Sequence, residues 1–225
     1  MSKERAIVLI SGGLDSCVVT AIADLKFELC ALHVNYGQCT EGRELKAFND
    51  IAGYYNIREE RRLVADISYL KRIGGSGLTD HNIVIDGAHT SIDSAVPNTY
   101  VPFRNTHLLA IAVSWAEVIS ATAIFIGAVA ADTPGYPDCC REYYDAFNKL
   151  ADIGTATSAK IEVLTPVIEM QKYEIVRKGV VLNAPLHMTW SCYKNSTIAC
   201  GKCNSCVLRL EAFKVSGVSD PVKYL

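Results

Sequence analysis

VLISGGLDSC, Val8–Cys17, runs a short apolar stretch into a Ser-Gly-Gly turn, and an acid and a hydroxyl follow at once. Ala6–Ile10 is uniformly apolar, as expected of a strand buried on both faces of a parallel sheet. From Asp15 to Lys26, the residues Cys17, Val18, Ala21, Ile22 and Leu25 fall on one helical stripe. The stretch therefore reads as strand, glycine loop, helix.

The same alternation extends outward. Glu28–Val34 is a second strand, and Gly42–Asn56 a second helix with its charges opposite Leu45, Phe48 and Ile51. Glu60–Ile67 gives a weaker third strand. Between 74 and 102, glycines, a polar run and two prolines interrupt the periodicity, a composition typical of a functional loop. Helical spacing resumes over Thr106–Ile119, followed by a buried strand at Ala123–Val129 and a helix at Arg141–Ile153. A last strand at Ala159–Val167 and a helix at Gln171–Gly179 complete the pattern. The prediction is an α/β fold with a doubly wound parallel sheet.

The 225 residues suffice for one main domain, with 22 Lys and Arg against 24 acids and a net charge of −2. A dedicated nucleic-acid binder shows a basic excess or run, because phosphate neutralisation dominates its affinity, and neither is present. The opening MSKERAIVLI fits neither a signal peptide nor a membrane span, so a cytoplasmic protein is expected. Nine cysteines in such a protein are read as thiols or metal ligands rather than a disulfide framework.

In a doubly wound sheet, ligands bind at the carboxyl ends of strands, where the next helix presents free N–H groups and a positive dipole end. Ser11–Ser16 occupies that place. Gly12 and Gly13 are expected at positive φ, allowing the backbone close to a ligand, while Ser11 and Ser16 add hydroxyls. A phosphate suits such a loop; an ordinary strand-to-helix turn with Asp15 complementing the dipole is the plainer alternative. The GxxxxGK[ST] string is absent, and neither this loop nor GGSGLTD supplies the third glycine of a dinucleotide fingerprint.

Cys192, Cys200, Cys203 and Cys206 read C-x7-C-x2-C-x2-C. Four thiolates suit tetrahedral Zn²⁺ in a closed structural site that clamps the end of the chain. An iron–sulfur cluster would use the same ligands, and a redox pair only two of them. Zinc is the expectation, because nothing else in the sequence calls for electrons. The division expected is 1–185 for the α/β domain and 186–225 for a small zinc-binding segment packed on it.

SGGLDS after an apolar strand resembles the pyrophosphate loop of the N-type ATP pyrophosphatases, whose fold is adenine nucleotide alpha hydrolase-like. With it, NYGQ (Asn35–Gln38), VPNTYVPFRN (Val96–Asn105), GYPDC (Gly135–Cys139) and TWSCY followed by CGKCNSCVLR resemble the 7-cyano-7-deazaguanine synthase (QueC) family, in the same order over nearly the whole chain. The resemblance implies a ligase that joins 7-carboxy-7-deazaguanine and ammonia into a nitrile on the route to queuosine. ATP and Mg²⁺ would activate first the acid and then the amide. A relative that passes the adenylated acid to another acceptor, or a tRNA-modifying enzyme of the same superfamily, is the alternative.

By the same resemblance, ATP lies along Leu9, Ile10, Ser11, Gly12, Gly13, Leu14, Asp15, Ser16, Cys17, Val18 and Val19, with Asp15 and Lys172 catalytic. Arg104, Asn105, Asp132, Tyr136 and Asp138 are the expected substrate contacts. The two aspartates also read as turn residues around Pro134 and Pro137, and Arg104 as a charge at a helix start. Phe103 and Cys140 depart from the family pattern, and Arg141 is expected to replace a positive charge missing at Cys140. The five histidines stay unassigned. A homodimer and no membrane partner complete the expectation.

Overall fold

In a computed structural model, residues 3–85, 96–130, 135–156 and 160–225 are described. Five parallel strands form one sheet: β1 (Arg5–Leu9), β2 (Glu28–Asn35), β3 (Arg62–Asp66), β4 (Ala123–Phe125) and β5 (Glu162–Leu164), in the order β3-β2-β1-β4-β5. All four pairings are parallel, Ile7 lying opposite both Cys30 and Ile124. The order reverses between β1 and β4, which opens a crevice at their carboxyl ends. The glycine loop leaves β1 into that crevice.

Helices α1 (Leu14–Asp24), α2 (Glu41–Tyr54) and α6 (Lys172–Val181) cover one face of the sheet; α4 (Arg104–Ile119) and α5 (Arg141–Gly154) cover the other. The alternation of side chains along β1 explains both cores. Ala6, Val8 and Ile10 join Val18, Phe48 and Val176 on one side, while Ile7 and Leu9 join Leu109, Ala112 and Phe147 on the other.

Several boundaries differ from the sequence reading. Strand pairing ends at Phe125 rather than Val129, because the chain beyond turns into the crevice, and β5 is three residues long. Two helices were not foreseen: α3 (Tyr69–Ile73), one turn long, and α7 (Asn204–Ser216). Ala212 and Phe213 of α7 lie in the same core as α1 and α6, so the cysteine-rich end of the chain helps close the main core. No described helix is long and apolar enough to cross a membrane.

Candidate active site and metal centre

Ile10 ends the apolar run and Gly12 turns the chain at φ +86°. A Cβ there would stand 2.7 Å from the Glu44 carbonyl oxygen and 2.9 Å from Ala47 Cβ, so both sterics and backbone angle require glycine. Gly13, expected to share the positive φ, instead has φ −82° and ψ 170° as the N-cap of α1. Extended backbone is what an N-cap adopts, and only one left-handed residue is needed to make the turn.

The loop's own polar groups bond to one another. Gly13 N–H donates to Ser11 Oγ at 3.2 Å, Ser11 Oγ donates to Ser16 Oγ at 3.1 Å, and Ser16 Oγ donates to the Gly13 carbonyl at 3.0 Å. The first bond inside α1 runs from Cys17 N–H to Gly13 O at 3.1 Å. The amides of Leu14, Asp15 and Ser16 therefore lack a helical acceptor and point out of the helix start, a ready anion site. On the far side of the crevice, a Cβ on Gly127 would meet Ser16 N at 2.9 Å, so the segment after β4 lies directly against the helix start.

Asp15 and Lys172, 157 positions apart, meet across the helix starts of α1 and α6, with Lys172 Nζ 2.9 and 2.8 Å from the two carboxylate oxygens. Lys172 is the first residue of α6, and Glu174 fixes that start by accepting the Gln171 N–H at 2.8 Å. Of the other residues placed along ATP, Leu9, Ile10, Leu14, Cys17, Val18 and Val19 are buried, so their side chains belong to the core. Burial pushes the Cys17 thiol up to about 12 and keeps it protonated.

Arg104, the first residue of α4, donates to Tyr36 OH at 3.3 Å and lies 5.1 Å from that ring's centroid. Its Nε is buried and finds no acceptor among the described residues. Asp138 is 4% exposed and accepts Asn105 N–H at 3.3 Å, while Asn105 Nδ2 donates to the Asp138 carbonyl at 3.1 Å. These two thus bind each other and anchor the start of α4 to the loop before α5. Burial raises the Asp138 carboxyl, partly countered by the Arg104 charge. Tyr136 OH shares a hydrogen bond with Thr99, and its ring stands edge-on to Tyr100 at 5.6 Å. Asp132 lies outside the described residues.

The two unusual positions flank this group. Phe103 is 59% exposed and holds φ 58°, a left-handed conformation uncommon for a bulky side chain. Cys140 is the N-cap of α5 and donates its thiol to the Pro137 carbonyl at 3.4 Å. Arg141, expected to supply a positive charge there, pairs instead with Glu169 at 2.9 Å.

The sequence reading missed a buried layer beneath the loop. His33 Nδ1 donates to the Ile10 carbonyl at 2.9 Å, and Nε2 lies 3.1 Å from the Asn35 side-chain amide. Gln38 and Thr40 donate to Glu44 at 3.1 and 2.6 Å, and burial raises the Glu44 carboxyl. Asn35 and Gln38 frame NYGQ, which was the available signal; nothing local marked His33 or Glu44.

The sulfurs of Cys192, Cys200, Cys203 and Cys206 all lie within 4.8 Å of one another, and this group could hold a metal ion. The donor set fits. Backbone N–H groups of Asn195 and Cys200 donate to Cys192 Sγ at 3.3 and 3.4 Å, and those of Lys202 and Cys203 to Cys200 Sγ at 3.4 and 3.3 Å. Such bonds orient thiolates for a metal. The hydrogen bond from Cys206 pulls the Cys203 thiol well below its ordinary range. No disulfide joins any of the nine cysteines.

A glycine loop at the helix start nearest the strand reversal of a parallel sheet, with a lysine and an aspartate meeting beside it, is the layout of a PP-loop-type α/β fold. The U34-tRNA thiolase NcsA from Methanococcus maripaludis, solved with its [4Fe-4S] cluster, shares this fold. Its TM-score is 0.51 at 16% identity, over 96% of this chain and 66% of that one. Residues 5–217 match the family described as "Queuosine biosynthesis protein QueC". The 7-cyano-7-deazaguanine synthases of Chlorobium phaeobacteroides and Chloroherpeton thalassium are 54% and 52% identical to it, each over 98% of this chain and 96% of its own length. This chain belongs to the QueC family.

Proposed function

We propose that this enzyme converts 7-carboxy-7-deazaguanine and ammonia into 7-cyano-7-deazaguanine, cleaving ATP to AMP and pyrophosphate at each of two activations. The observation that carries the reading is the likeness, over nearly full length on both sides, to relatives named for that product.

A carboxylate is a poor electrophile. Its oxygen attacks the α-phosphorus of ATP, pyrophosphate leaves, and ammonia displaces AMP from the acyl adenylate to give the amide. The amide oxygen then attacks a second ATP, and loss of AMP with the nitrogen's protons leaves the nitrile. Both carboxyl oxygens depart on AMP. The residues of the chain serve the charge that grows on pyrophosphate: the Leu14–Ser16 amides and the Ser11 and Ser16 hydroxyls hold it, and Lys172 neutralises it. Asp15 orients Lys172 and is positioned to bind the Mg²⁺ that accompanies ATP.

Arg104, with one buried donor unfilled, receives the substrate's carboxylate, and Tyr136 stacks on its ring system. Asn105 and Asp138 keep α4 and the 135–140 segment together around that pocket, and Asp132 remains an expected contact. Zn²⁺ is the proposed occupant of the cysteine site, in a structural role within 186–225. Homodimeric assembly and a cytoplasmic setting follow the same family reading.

The test is incubation with ATP, Mg²⁺, ammonia and 7-carboxy-7-deazaguanine carrying ¹⁸O in its carboxyl group. The expected result is the nitrile mass, with one labelled oxygen in each of two AMP molecules. Amide as the sole product, or label retained in the organic product, overturns the reading.

A further inference from the structure

We propose that Trp190 couples the four-cysteine cluster to the phosphate loop, so that metal occupancy sets the loop's conformation and its affinity for a triphosphate. The second half of this inference rests on the reading of the loop as the ATP site. Trp190 stands two residues before Cys192, and its backbone N–H donates to the Gly12 carbonyl at 2.8 Å. Its indole Nε1 donates to the Asn195 carbonyl at 3.1 Å, and the Asn195 N–H donates to Cys192 Sγ at 3.3 Å. One residue is thus bonded to the loop by its backbone and to the neighbour of a metal-ligand sulfur by its side chain.

Neither end has slack. The indole is 6% exposed, packed with Ala47 and the cluster cysteines, and the Arg43 guanidinium lies 4.4 Å from its centroid. Gly12 is pressed against α2 at Glu44 and Ala47 on its other side, so a shift of Trp190 must move the loop or break the 2.8 Å bond. The chain from Thr189 to Lys202 contains no helix or strand, only the isolated bridge at Ala199. Arg209 holds its start at Thr189 and Ser191, and the bridge to Tyr224 holds Ala199; between them Asn195 and Cys200 are tied to Cys192 Sγ, where a metal bound to four thiolates would be a strong added constraint. Trp190 touches no reacting atom in this account; it is a positioning residue. Coupling between two binding sites is reciprocal, so the factor by which metal tightens ATP is also the factor by which ATP tightens metal.

The experiment compares zinc-loaded and chelator-stripped full-length protein by hydrogen exchange of the hydrogen-bonded Gly13, Cys17 and residue-190 amides and by equilibrium binding of MgATP, with no turnover measured. Stripping is expected to speed exchange at those amides and to weaken MgATP binding at least tenfold. Trp190→Ala, loaded with one zinc, is expected to show the same two changes, while Trp190→Phe, which keeps the ring packing, falls between. The proposal is overturned if loop exchange in folded, zinc-free protein equals that of the loaded form. Should stripping unfold the chain, zinc-loaded Trp190→Ala with wild-type loop exchange overturns it equally. If the loaded wild-type protein binds no MgATP, the reading of the loop as an ATP site fails, and the exchange comparison still decides the coupling.

Discussion

Lys172 Nζ sits 2.8 Å from one oxygen of Asp15 and 2.9 Å from the other, joining the first turns of two helices that neither share a strand connection nor adjoin in sequence. The pair is only partly exposed, at 18% and 24% of side-chain area. In the proposed reaction, an arriving triphosphate would compete with Asp15 for the ammonium and free the carboxylate for a cation.

Lys172→Ala and Asp15→Ala are therefore expected to lower pyrophosphate release by about 10²- to 10³-fold, the scale on which a preorganised charge-stabilising group acts. Metal content should not change, since neither residue is among the four clustered cysteines. Near-normal release from Lys172→Ala would remove the lysine from the machinery.

Gly127→Ala is expected to weaken ATP binding more than it weakens the fold. The added methyl would stand 2.9 Å from the Ser16 amide nitrogen and 3.0 Å from the Asp15 carbonyl carbon, so the segment after β4 must lift away from the anion-binding start of α1. Calorimetric titration with MgATP beside thermal melting separates the two effects. A variant that binds normally would show that the two segments part without consequence.

Arg209 and Asp220 form a buried pair, 2% and 5% exposed, with bonds of 2.8 and 3.0 Å. Arg209 also donates to Thr189 Oγ1 at 2.7 Å and to the Leu186 carbonyl at 3.3 Å. Removing one member of such a pair strands the other, so Arg209→Ala should cost about 3–5 kcal/mol in denaturant unfolding. Burial alone would raise the Asp220 carboxyl, but the Arg209 hydrogen bonds and charge outweigh it and hold it below the usual 3.8. A depressed carboxyl adds stability above its unfolded value and loses it as pH falls through the folded one. The difference between wild type and Asp220→Asn should therefore be fully present at neutral pH and shrink below about pH 4. A difference independent of pH down to 2 would contradict this.

Protein purified without oxygen should carry one zinc per chain and no stoichiometric iron, and Cys203→Ser should lose that metal together with a substantial part of its thermal stability. Four thiolates around one tetrahedral ion, which sulfurs within 4.8 Å of one another could supply, would leave no coordination position for solvent. Visible absorbance with bound iron would replace zinc by a cluster.

The alternation of strands and helices was legible because strands covered on both faces are written as unbroken apolar runs, and β1 with its loop is the plainest example. Cys192 to Cys206 were legible by spacing alone. Contacts between distant segments leave no local trace: Asp15 with Lys172, Gly12 with Trp190, and Asn105 with Asp138 emerge only when the sheet is assembled. Helix α7 escaped for a different reason. Its inward face carries Cys206 and Arg209 beside Ala212 and Phe213, so a metal ligand and a buried cation interrupt the apolar stripe that periodicity relies on. Gly13 was misjudged because a Gly-Gly pair does not say which of its members turns left-handed.

Because Ala212 and Phe213 help seal the face formed by α1 and α6, that face is complete only when α7 is in place. Residues of α1, α2 and α6 cover most of that layer, and α7 adds Ala212 and Phe213 at its end. Chains released before α7 would present a sticky flank to chaperones and proteases. If the four cysteines carry the proposed zinc, full-length protein made without it should meet the same quality control, and its steady-state amount in the cell should follow zinc supply.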